Sequence, residues 1–91
     1  MDKIAELIAY TEEMLTLLDN EESRNWYEWF EKALVELKKS DVDGCKRILS
    51  ANGGMCSYND FSLKDYKLEQ HREALWDKVF VLASELWKEN K

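Results

Sequence analysis

The sequence predicts an all-α fold: a small single-domain bundle of four helices, with an irregular or briefly extended segment before the last one. Three observations predict it. Apolar residues recur at three- and four-residue spacing along most of the chain. Short polar runs at residues 19–23 and 40–44 separate the periodic stretches. No proline occurs in the 91 residues, so no helix is broken by one. A chain of this length makes one domain, residues 1–91. Its hydrophobic share, 45%, is enough for a packed core.

The first helix is expected over residues 2–18. Ile4, Leu7, Ile8, Thr11, Met14, Leu15 and Leu18 share one face. Asp2 suits the N-cap or the helix dipole. The run DNEES then closes the helix with short polar residues. The second helix is expected over residues 23–39, with Ser23 as N-cap. Trp26, Trp29, Phe30, Ala33, Leu34 and Leu37 form a broad apolar face, and Lys38 and Lys39 complement the dipole at its end.

Ser40 followed by Asp43 resembles a capping box with a shortened acid. A short third helix would carry Val42, Cys45, Ile48 and Leu49. Gly44 weakens it, by about 1 kcal/mol relative to alanine. The last helix is expected from residue 67 or 69 to 89. Leu75, Trp76, Val79, Phe80, Leu82, Ala83, Leu86 and Trp87 span roughly 160° of its circumference, wider than a simple surface helix needs. That width places it against two or more neighbours, at the centre of the bundle.

The net charge is −6 and the pI is about 4.8. Nucleic acids and anionic membranes are held largely by lysine and arginine, so neither is an expected partner. The balance suits a basic protein partner instead. No stretch reaches the roughly 18 apolar residues of a membrane span, and the first residues lack a secretory pattern. Two cysteines make no disulfide framework, so a cytoplasmic chain with reduced thiols is expected.

The acidity is concentrated. Residues 1–20 hold five acids and one base, whereas residues 61–91 hold six of each. Glu6, Tyr10 and Glu13 line up at helical spacing, away from the apolar face of the first helix, and Leu17 extends the stripe. A carboxylate stripe around an exposed tyrosine is a candidate protein contact, because aromatics anchor interfaces and carboxylates steer encounter. Glu12, Asp19, Glu21 and Glu22 form a second set. The competing reading is an ordinary solvated helix face.

Catalytic chemistry finds little support. Cys45 falls on an apolar face, which makes a buried, inert thiol. Cys56 and His71 are the remaining thiol and the one histidine, and nothing in the sequence pairs them. The spacing of Cys45, Cys56 and His71 fits no zinc motif. His71-Arg72-Glu73 mimics the H-x-E of zinc deaminases but lacks the following P-C-x-x-C. Asn59 and Asp60 lack the rest of a calcium loop. No enzyme, metal or cofactor is therefore expected. The four tryptophans read as core.

The least helical stretch is ANGGMCSYNDFSL, residues 51–63. Gly53 and Gly54 permit the positive φ that ends a helix. Met55, Tyr58 and Phe61 alternate with polar residues, and Asn59 and Asp60 suit backbone-bonded turns. The run reads as a structural joint, with a direct ligand or partner role as the alternative. GGMCSYNDFSL resembles the GGMGSFNDL segment of a family of small bacterial proteins. Around it, Trp26 to Leu37, Asp41 to Leu49 and Arg72 to Trp87 match that family's layout, so the resemblance spans residues 20–88, although only the loop is specific. Cys56 departs from the second glycine, and Tyr58 replaces phenylalanine. The resemblance brings no enzymatic activity and no catalytic residues.

Size and acidity are similar to those of immunity proteins, which neutralise toxins in toxin–antitoxin pairs and contact-dependent growth inhibition. The expected function is such an immunity protein, blocking a basic toxin such as a nuclease. The alternative is a helical adaptor or homodimer, with Val35, Val81 or Leu17 as exposed contacts.

Overall fold

At the N-terminus, Asp2 lies in extended backbone and its carboxylate accepts the Ala5 amide at 2.8 Å. This satisfies one of the amides that a helix start leaves unpaired. The computed structural model describes residues 2–51 and 62–89. Four helices follow in order: α1 Lys3–Leu18, α2 Arg24–Lys38, α3 Asp43–Ser50 and α4 Tyr66–Glu89. A short 3-10 turn, Glu21–Ser23, joins the first two, and no strand occurs among the described residues. The all-α four-helix architecture is as the apolar periodicity predicts.

The helices close a ring. α1 packs on α2 and α4, and α3 packs on the same two, with the seam between α1 and α4 the most extensive. α4 is therefore not a central hub, contrary to expectation. Its broad apolar face has a different cause: one edge meets α1 and the other meets α3. Phe30 crosses the ring from α2 to touch Trp76 edge-on at 5.6 Å, and Trp76 meets Phe80 at 5.7 Å. Leu7, Met14, Leu18, Phe30, Ile48 and Val79 are fully buried around this contact. Thr11 is buried among them, its hydroxyl donating to the Leu7 carbonyl at 2.7 Å.

Two expected caps are replaced. Ser23 makes no cap bond to α2; its buried hydroxyl donates to the Leu18 carbonyl at 2.8 Å and to Asn20 Oδ1 at 2.7 Å. Asn20 is the capping residue here, accepting the Ser23 amide at 3.0 Å. Ser40 does not start α3. It has φ 61°, a left-handed conformation, and its amide donates to the Leu37 carbonyl at 2.9 Å, which ends α2. Asp41 takes over, its carboxylate accepting the Asp43 amide at 2.9 Å.

Gly44 sits where α3 crosses α2. A Cβ there would lie 2.8 Å from both the Ala33 carbonyl oxygen and Leu37 Cγ. The glycine is thus a condition of the close approach as well as a local weakness. α4 starts at Tyr66, slightly earlier than expected, because Asp65 accepts the Lys67 and Leu68 amides at 3.0 and 3.1 Å.

Candidate interaction surface

The stripe Glu6, Tyr10, Glu13 and Leu17 was expected to face outward; Glu13 is exposed, but Tyr10 meets α4 and Glu6 and Leu17 are half-buried. Tyr10 and Leu17 are half-buried and pack against the core. Lys78 of α4 holds its ammonium 5.2 Å from the Tyr10 ring centre, a cation–π arrangement. Glu6 is half-buried, and Glu13 lies 3.5 Å from His71 Nε2 on α4. The cause is the tight α1–α4 packing, which draws in residues one step off the apolar face. An exposed tyrosine anchor is therefore replaced by a seam residue.

The second set behaves differently. Glu12, Asp19, Glu21 and Glu22 are exposed and lie toward α2. Glu12 approaches Lys38 at 3.5 Å, and Asp19 meets Arg24 at 3.1 Å. Arg24 also lies 5.0 Å from the Tyr27 ring centre. Glu21 and Glu22 make no ion pair among the described residues, and neither do Glu28 and Glu31 on α2. Between α1 and α2 lies a hollow of about 290 Å³, with Leu15, Leu34 and Tyr27 inside and Glu12, Asp19 and Glu31 at its edge. A second, of about 320 Å³, continues along α2 past Val35, between Lys32 and Lys38.

Two charge networks were not foreseen in the sequence. On α4, Arg72 is buried and grips Glu69 with two bonds: Nε to Oε1 at 2.7 Å and Nη2 to Oε2 at 2.6 Å. Glu69 Oε1 also accepts the Leu63 amide at 2.7 Å, which fastens the chain just before α4. Burial pushes the Glu69 carboxyl up, but the Arg72 and Leu63 hydrogen bonds and the Arg72 charge outweigh it and hold it below the usual carboxylate range. A signal was available. Arg72 falls in register with Leu75, Trp76 and Val79, so an arginine occupies an apolar position with Glu69 three residues before it.

The other network joins α2 to α3. Trp29 donates its indole N–H to the Arg47 carbonyl at 2.9 Å, and Arg47 Nε donates to Glu36 at 2.5 Å. A hollow of about 300 Å³ opens beside them. The carboxylates of Glu36, Asp41 and Asp43 fall within 4.8 Å of one another. Each has a local task or an open setting: Glu36 holds Arg47, Asp41 takes the Asp43 amide, and Asp43 is exposed.

Cys45 is buried, and burial pushes its thiol up to about 11. That is the reverse of what an activated nucleophile needs. His71 is exposed beside Glu13. Trp76 is buried, and Trp26, Trp29 and Trp87 pack partly buried against the core, as expected for structural rings. Gly53, Gly54, Met55, Cys56, Tyr58, Asn59, Asp60 and Phe61 lie outside the described residues. No helix among the described residues is long and apolar enough to cross a membrane.

Comparison with known proteins places the chain by family. Residues 19–68, more than half of it, match a family described as a domain of unknown function (DUF6966), and the chain belongs to that family. No curated protein and no solved structure matches it. The matched stretch holds α2, α3, the Asp19–Ser23 connection and the residues from 51 to the start of α4. It therefore contains Asp19 and Glu31, two of the three acids lining the α1–α2 hollow, and excludes Tyr10, Glu13, His71 and Lys78 of the α1–α4 seam.

Proposed function

We propose that this chain is a non-enzymatic binding protein that occludes a basic protein, in the manner of an immunity protein against a nuclease-type toxin, and that it works in the cytoplasm without a cofactor. One observation carries the reading: Glu21, Glu22, Glu28 and Glu31 are exposed with no ion pair among the described residues, and Glu31 shares the α1–α2 hollow with Glu12 and Asp19. Unpaired carboxylates on one side raise the encounter rate with a cationic surface and disfavour nucleic acid. A nuclease must present such a surface to its phosphate backbone substrate. We therefore assign the contact to Glu12, Asp19, Glu21 and Glu22, with Glu28 and Glu31 added, while Tyr10 and Glu13 meet α4 and Glu6 is half-buried.

The test is co-expression with a basic toxin domain encoded beside this chain. Relief of growth arrest together with an equimolar complex supports the reading. Undiminished toxicity at equal amounts, with no complex, ends it. Self-association is the second reading, because Val35 and Val81 are 49% and 55% exposed. Isolated exposed valines are ordinary on a monomer, and a mass that rises with concentration would be their signature.

A further inference from the structure

We infer that the partner docks through a cationic amphipathic helix lying along α2, its basic end over Tyr27 and its uncharged or acidic end over Val35. This rests on the occlusion reading and deepens it. The two hollows share Glu31 and Leu34, so they adjoin along α2 and together make the proposed docking channel. From Tyr27 to Val35 the channel follows eight residue steps of helix, about 12 Å, which is a little over two turns of a partner helix. The lining is apolar at its centre: Leu15 and Leu34 are 7% and 8% exposed, Tyr27 is half-buried and Val35 is 49% exposed. A helix docked in a groove is anchored by apolar residues at i, i+3 or i+4, and i+7, which fits a channel of this length.

Charge gives the channel a direction. Asp19 borders the Tyr27 end, with Glu21, Glu22 and Glu28 exposed on the nearby stretch of chain, and Glu31 lies midway. Arg24 is the cation there, and it is held by Asp19 and lies over the Tyr27 ring. At the Val35 end Lys32 and Lys38 line the channel beside Glu31, and Glu12 lies 3.5 Å from Lys38, so charge there is balanced. A uniformly basic helix would set its far half against Lys32 and the Lys38–Glu12 pair, where added positive charge gains nothing. A helix basic at one end alone meets favourable charge throughout, and like-charge juxtaposition excludes the others.

Four peptides of about four turns test this, all with the same leucine stripe. One carries lysines in its first half and glutamines in its second. The others carry lysines throughout, glutamates in place of the lysines, or glutamines throughout. Binding is read by chemical-shift changes in the full chain. The half-basic peptide should bind about tenfold more tightly than the uniformly basic one. Its shifts should gather at Leu15, Tyr27, Leu34 and Val35. Glu31→Lys, an exposed change checked for intact helical circular dichroism, should weaken it and favour the glutamate peptide.

Equal affinity for all four peptides, or shifts centred on Tyr66, Leu68 and Val81, overturns the inference. The two readings fail separately. A toxin that is bound and neutralised while no peptide prefers the channel removes the helix and leaves occlusion standing. A channel that selects the half-basic peptide beside an unneutralised toxin retains the helix site and removes the immunity role.

Discussion

On the flank of α1 that faces α4, Glu13 meets His71 and Tyr10 lies under Lys78. On the flank that faces α2, Glu12 meets Lys38 at one end, and Glu21, Glu22, Glu28 and Glu31 remain without ion pairs among the described residues. Both flanks are acidic in sequence. The neighbour decides what the acids do. α4 sets Lys78 over the Tyr10 ring and His71 near Glu13, whereas α2 pairs Glu12 and Asp19 with Lys38 and Arg24 and adds the unpaired Glu28 and Glu31 of its own. Carboxylates of one type thus separate into a cohesive set and an outward set.

Substitutions can break or sharpen this contrast. The largest effect is expected on the α4 side. Glu69→Ala takes two hydrogen bonds from buried Arg72 and releases the Leu63 amide, a loss of about 3–5 kcal/mol. Urea titration measures it. Since the Glu69 carboxyl lies below its unfolded value, its stabilisation is complete above the unfolded pKa, near 4.3, and is lost as pH falls through the folded one. Glu69→Gln should therefore flatten the acid limb of the stability profile.

Next comes Gly44→Ala, on the seam between α2 and α3. Its Cβ would press on the Ala33 carbonyl and Leu37, so about 1–3 kcal/mol should be lost despite the better helix propensity of alanine. A stabilised variant would show that α3 can move away. Tyr10→Ala follows, with about 1–2 kcal/mol for a half-buried ring and its cation–π contact. It should alter stability without altering association with the partner. At the other extreme, Glu21→Lys combined with Glu22→Lys should change stability by no more than about 0.5 kcal/mol. It should slow association with a basic partner and reduce its salt dependence. If Tyr10→Ala slowed association and the lysine pair did not, the assignment of the two flanks would be reversed.

The four helices and most of the core were legible because apolar spacing reports burial directly. Leu7, Met14, Phe30, Ile48 and Val79 each fall on the face their register predicts. Three features were less legible, for separate reasons. Tyr10 lies one step off the apolar face, and only the approach of α4 decides whether that step is wet. Ser40 holds a left-handed φ that sequence patterns assign to glycine or asparagine. Arg72 carries a charge at an apolar position, and its meaning depends on Glu69 and the Leu63 backbone meeting it. The acidic groove between α1 and α2 needed the ring arrangement of the helices, which a one-dimensional pattern does not encode.

The fastening of Leu63 has a consequence for how this fold can change. Ala51 is buried at the end of α3, and Leu63 is buried and tied to Glu69 within α4. The entry to α4 is thus set by a side chain of α4 itself, so a change at Glu69 acts on the backbone before the helix as well as on the helix.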